Sequence, residues 1–172
     1  MYIPPQFNGK DRAVALDLMR SHAFASLIST DDDGLPFVTH LPLVVEAGAD
    51  AQFTLLGHCA KPNPHWRYLA ARPRALVTFM GPHAYLSPSV YPDLARVPTW
   101  NYLAVHCVVE ARLVESPQDK DALLKRLIAQ HEPADRGTDL GRVHRCPLAA
   151  KKTSCRLLAK SPVLSRNRAT AS

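Results

Sequence analysis

The stretch Gly57–Trp66, GHCAKPNPHW, gathers His58, Lys61, Asn63 and His65 between an apolar run, FTLLGH, and a helix-like run, RYLAARPRA. It reads as a junction from strand to helix. The first N–H groups of a helix lack intrahelical partners and sit at the positive end of its dipole. A lysine and two histidines nearby add to that field, so the junction suits a phosphate. A second reading stands beside it: Asn63 is a natural N-cap, with Pro64 at the first helical position. Three further places put polar side chains inside apolar strands. They are Thr39-His40 in PFVTHLPLV, His83 with Tyr85 and Ser87 in GPHAYLSP, and Thr99-Trp100-Asn101-Tyr102 with His106. Each lies near a chain break, which points to one concave polar site.

Other chemistries fit poorly. A hydrolase needs a nucleophile, a base and an orienting carboxylate. Ser87 and Ser89 stand outside any G-x-S-x-G elbow, and the polar motifs contain no Asp or Glu. No catalytic residue is assigned. The histidines lack H-x-H or H-x-x-x-H spacing, and Cys59, Cys107, Cys146 and Cys155 lack C-x-x-C spacing, so no metal site is expected. Asp31-Asp32-Asp33-Gly34 reads as a solvated turn. With no G-x-G-x-x-G and no βαβ alternation, a Rossmann domain is excluded.

The 172 residues are 47% hydrophobic, enough for one domain with a core. Fifteen prolines against seven glycines suggest short elements with firm breaks. No apolar run reaches the roughly 18 residues of a membrane span. The N-terminus lacks a signal-peptide layout, so the cytoplasm is expected. Charge is uneven. Residues 1–133 hold 12 Lys+Arg and 13 Asp+Glu, a net of −1, whereas 134–172 hold 9 and 2, a net of +7. A basic tail can bind nucleic acid, or it can simply be solvated.

The elements that must position the polar groups follow from periodicity and breakers. Asp11–His22 reads as an amphipathic helix with Asp11 as cap. Phe24–Ser29 and Leu35–Val45 form a hairpin around the acidic turn. Ala51–Leu56 is a third strand, followed by a short helix stopping at Pro73. Ala75–Met80 is a fourth strand that resumes at Ala84–Leu86. Thr99–Val114 is a long strand, and Ser116 caps a helix over Pro117–His131. The order suggests a small barrel, or a sheet rolled over one helix. Residues 134–172 contain no Phe, Trp or Tyr and show neither period, so the tail reads as poorly ordered.

GHCAKPNPHW, FMGPHAYLSPSVY and VPTWNYLAVH, with the opening MYIPPQF and the hairpin GLPFVTHLPLV, resemble the PaiB family of FMN-binding negative transcriptional regulators over roughly residues 1–131. The resemblance implies a mainly β (α+β) fold: a split β-barrel of the pyridoxamine-phosphate-oxidase-like type with a few peripheral helices. It implies one FMN-binding domain over 1–133, a homodimer, and FMN at the subunit interface. His58, Ala60, Lys61, Asn63 and His65 would cradle the phosphate. Thr39, His40 and Leu41 would run beside the flavin ring. His83, Ser87, Trp100 and Asn101 would come from the facing subunit. DNA would be bound directly or through a partner, with no membrane involved. The alternative is a flavin-dependent oxidoreductase of the same architecture. The tail departs from the family: only Leu164-Ser165-Arg166-Asn167-Arg168 resembles its closing motif, so 134–172 is expected to be atypical, poorly ordered or out of frame.

Overall fold

The computed structural model describes residues 8–9, 11–48, 53–92, 97–132 and 153–167, with the backbone alone for 8–9 and 153–167. Its elements in chain order are β1 (Asn8–Gly9), α1 (Arg12–Ser21), β2 (Phe24–Thr30), β3 (Pro36–Pro42), β4 (Val44–Ala47), β5 (Phe53–Cys59), α2 (His65–Ala71), β6 (Arg74–Leu86), β7 (Thr99–Val114), α3 (Pro117–His131) and β8 (Thr153–Asn167). One antiparallel sheet runs β3-β2-β6-β7-β8-β5-β4, with β1 beside β8.

β3 and β4 are neighbours in sequence but lie at opposite ends of that order. The sheet must therefore curl until its two edges meet, which makes it a split barrel. The single strand expected over Leu35–Val45 is broken at Leu43, a fully buried residue whose N–H bonds to the Ala23 carbonyl at 2.9 Å. Pro42 supplies the reason, because it has no N–H to extend the ladder. At the seam Gly57 leaves room for two buried leucines: a Cβ there would stand 2.5 Å from Leu43 Cδ2 and 2.9 Å from Leu41 Cδ1, so both side chains would have to shift. The core inside the curl is Met19, Leu27, Leu43, Phe53, Leu55, Leu69, Val77, Phe79 and Val105, all fully buried.

Local signals act as expected in the helices. Asp11 caps α1, its carboxylate accepting from the N–H groups of Ala13 at 2.9 Å and Val14 at 3.4 Å. Ser116 caps α3 through the Asp119 N–H at 3.3 Å. Leu123 and Leu127, one turn apart, seat α3 on Leu56. In the acidic turn Asp31 Oδ1 accepts from Asp33 at 3.0 Å and Leu35 at 2.8 Å, and Gly34 takes φ +82°. That is turn chemistry.

Three expectations are revised. The third strand runs on to Cys59, which puts His58 inside it. The two pieces over 75–86 are one strand, β6, with a register shift between Met80 and His83 where Gly81-Pro82 interrupts the ladder. The tail is not unstructured throughout: Thr153–Asn167 is a strand paired with β7 on one side and β5 on the other. Its order comes from neighbours that are distant in sequence, and β-forming tendency depends on such context. Leu164–Asn167, the part of the closing motif inside β8, pairs with the Tyr102–Val105 segment of β7. The opening arm, Met1–Phe7, lies outside the described residues.

Candidate functional site

β3 is at one end of the sheet order, so half of its N–H and C=O groups face away from β2. Its side chains alternate. Phe37, Thr39 and Leu41 share the inner face, opposite Ser29, Leu27 and Ala25. His40 points outward, opposite Ser26, and its Nδ1 lies 3.0 Å from the Ser26 hydroxyl. Thr39 and His40 therefore work on opposite faces.

The Thr39 hydroxyl is a hub. Asn63 Nδ2 donates to it at 3.1 Å, and His65 Nδ1 lies 2.7 Å away. Asn63 Oδ1 accepts the His65 N–H at 3.0 Å, but the N-cap of α2 is Pro64 rather than the expected Asn63, because Pro64 already has helical backbone angles and Asn63 stands one residue earlier. α2 is only seven residues long, and its leading N–H is spent on that bond to Asn63. His65 is buried with the Phe37 ring edge-on at 5.1 Å, and burial lowers its pKa from 6.5 to about 4. It is neutral near pH 7. The cationic candidate here is Lys61, exposed on the loop and without an ion pair among the described residues. That loop is braced: the Asn63 N–H bonds to the Ala60 carbonyl at 2.9 Å, and the Trp66 indole donates to the Lys61 carbonyl at 3.1 Å. Arg67 stacks over Trp66 at 5.3 Å. His58 is half-buried on β5, and Ala60 is exposed.

His83 and Trp100 form a second group. Their rings stack at 5.8 Å, Tyr85 stands 6.1 Å from Trp100, and Met80, His83, Trp100 and Tyr102 line a pocket of about 240 Å³. Tyr85 and Tyr102 enter because the ladder places Tyr85 opposite Trp100 and His83 opposite Tyr102. No sequence spacing signals that pairing. Asn101 presents a buried Oδ1 with no hydrogen-bond partner among the described residues. Ser87 caps a short turn through the Ser89 N–H at 3.2 Å.

The two groups stand apart in one chain. Thr39, Leu27, Val77 and Cys107 lie in one row across β3, β2, β6 and β7. Trp100 is seven residues before Cys107 on β7, which at about 3.3 Å per residue is ~23 Å. Along the strands, Trp100 therefore lies well beyond the row that holds Thr39.

The sequence matches the family model described as "Putative FMN-binding domain" over residues 1–155. It is also 37% identical over 139 residues to the "Protease synthase and sporulation protein PAI 2" of Bacillus subtilis, covering 81% of this chain and 64% of that protein. The chain belongs to the PaiB family of FMN-binding proteins. It spans less than two thirds of its Bacillus relative's length. Among solved structures, the PaiB-family chain resembles the flavocytochrome Anf3 of Azotobacter vinelandii, with TM-score 0.71 and 15% identity over 95% of this chain and 71% of that one. It also resembles a "Putative Pyridoxamine 5'-phosphate oxidase" of Listeria innocua, with TM-score 0.54 and 13% identity over 91% and 98%. These likenesses carry the fold, the pyridoxamine-phosphate-oxidase-like split barrel.

FMN is the cofactor of this PaiB-family chain. The donor set fits it. Lys61 offers a cation with no ion pair among the described residues to a phosphate of nearly two negative charges. β3 offers free backbone groups to a polar ring edge. Trp100, 53% exposed, offers an aromatic wall. Among the described residues no helix is long and apolar enough to cross a membrane.

Proposed function

We propose that the chain acts as a homodimeric, FMN-binding negative regulator of transcription in the cytoplasm, with each flavin site shared between two copies. The offset of ~23 Å along β7 between the Thr39 row and Trp100 supports the shared site, in which one ring meets both groups across an interface. A surface for that interface is available. Val38, Ile28, Leu76 and Val108 form an outward row across four strands, with Val38 46% and Val108 49% exposed. Covering such a face is favourable at about 25 cal/mol per Å².

In this reading one copy supplies Lys61, with His58 and the Ala60 backbone, to the phosphate. Its Thr39–Leu41 backbone meets the ring's polar edge. Asn63 and His65 support these groups from behind. The second copy supplies Trp100 and His83 as a wall, with Asn101 and Ser87 at its rim. Bound FMN would supply reversible electron transfer. The protein's part is to bind it, orient it and exclude water.

Mixing variants tests the shared site. Lys61→Ala and Trp100→Ala chains, unfolded together and refolded, form mixed dimers in which one of two sites is intact. Roughly a quarter of sites should then regain tight FMN binding. No recovery would show that the two residues serve the same chain's site.

The regulatory role rests on family membership. α1, α2 and α3 are each separated by strands, so no helix pair forms a helix-turn-helix among the described residues. DNA contact would use another surface or a partner. A salt-sensitive, sequence-selective gel shift supports the regulator. NADPH oxidation by the FMN-loaded protein without any gel shift favours the alternative, a flavin-dependent oxidoreductase.

A further inference from the structure

We propose that Asn63 and His65, joined on the Thr39 hydroxyl, are positioning residues that hold the FMN phosphate loop and the flavin-edge strand in one register. The inference rests on the shared-site reading and adds how the two ends of that site are coupled.

The geometry is a closed triangle. Asn63 reaches Thr39 through Nδ2 at 3.1 Å, His65 reaches it through Nδ1 at 2.7 Å, and Asn63 and His65 are bonded to each other at 3.0 Å. A threonine hydroxyl has one proton and two lone pairs. One lone pair takes the Asn63 amide. The other lone pair or the proton meets His65, according to its tautomer. The triangle joins elements 24 and 26 residues apart in sequence. On one side it grips β3 twice, because Phe37, two residues before Thr39 on the same face, closes over the His65 ring at 5.1 Å. On the other side it grips the Lys61 loop, whose carbonyls at Ala60 and Lys61 are held by the Asn63 N–H and the Trp66 indole. Lys61 therefore stands on a support that is itself fixed to the strand.

A ligand with a phosphate at one end and a ring at the other must satisfy both supports at once. A displacement of about 1 Å between them can forfeit most of one contact. Neutrality of His65 suits this role, because an uncharged imidazole fixes the spacing and leaves the phosphate charge to Lys61.

A double-mutant cycle on the full chain tests the idea. FMN and riboflavin Kd values are measured for wild type, Thr39→Val, Lys61→Ala and the double variant, with melting curves as a check of folding. Thr39→Val keeps the shape and β-branching and removes the hydroxyl. It should weaken FMN by about 10-fold or more and riboflavin by less than about 3-fold. In that background Lys61→Ala should cost less than about 3-fold more, because the misplaced loop no longer presents the charge. Thr39→Ser should restore both. His65→Phe, which keeps a buried ring, provides the same comparison if Thr39→Val does not fold. Additive losses, or equal losses for FMN and riboflavin, would overturn the coupling while leaving the phosphate site standing. If Lys61→Ala alone leaves FMN unchanged, the phosphate site fails and the coupling fails with it.

Discussion

At Lys61 the expected energetics are those of one charge-assisted hydrogen bond. Lys61→Ala should weaken FMN by about 1–3 kcal/mol and leave riboflavin nearly unchanged, read by flavin fluorescence titration. His65 makes a separate prediction through pH. Its folded pKa of about 4 lies below the ordinary 6.5, and the cause is burial. The unfolded chain then binds more protons than the native one between those values. Stability is full above about pH 6.5 and falls as pH drops toward 4, by an amount on the order of 2–3 kcal/mol. His106 is shifted in the same direction, again first by burial. Urea melts at pH 7, 5.5 and 4 should show the wild type losing more stability than His65→Gln; parallel losses would exclude His65 as the source. The sequence already marked His65, Asn63 and Thr39 as polar groups out of place. Their mutual bonds were not legible, since Thr39 and Asn63 meet only after β3 folds against the loop.

At the scale of elements the closure of the barrel rests on the meeting of β3 with β5. Gly57 makes it possible, because an added Cβ would overlap two buried leucine side chains, Leu41 and Leu43. Gly57→Ala should cost about 1–3 kcal/mol as an overpacking change, seen as a lower urea midpoint at unchanged slope. The leucines can move only by disturbing a packed core. By contrast Asp11→Ala removes a surface cap and should cost about 1 kcal/mol. Most elements were readable from local pattern, because caps, turn residues and period act within a few positions. The break at Leu43 and the continuity of β6 through Gly81-Pro82 were not, since both depend on which strand lies alongside.

At the scale of the molecule β8 holds the sheet together. It lies between β7 and β5, pairing with β7 along most of its 15 residues and with β5 over Thr153–Ala159. A chain ending at Glu132 would leave β5 and β4 without their link to β7. Such a truncation should lose its cooperative melt and its FMN, measured by circular dichroism and by flavin retention after desalting; a cooperative, flavin-loaded fragment would show that residues 11–132 fold alone. The outward row Val38, Ile28, Leu76 and Val108 belongs to this scale too. Val108→Glu should give monomers that keep their fold and lose FMN, resolved by sedimentation together with the visible flavin bands.

Residue types and short spacings determined the helices, the turns, the mainly β class and the family, because each rests on interactions a few residues long or on motifs read directly. Three matters were decided only by the tertiary structure. One was the strand at Thr153–Asn167, which has no local pattern and exists through its neighbours. Another was which of Thr39 and His40 faces inward, toward Asn63 and His65. The last was the offset of ~23 Å along β7 between the Thr39 row and Trp100, which follows from strand register and length. Register is a relation between segments distant in sequence, and only the folded ladder sets it.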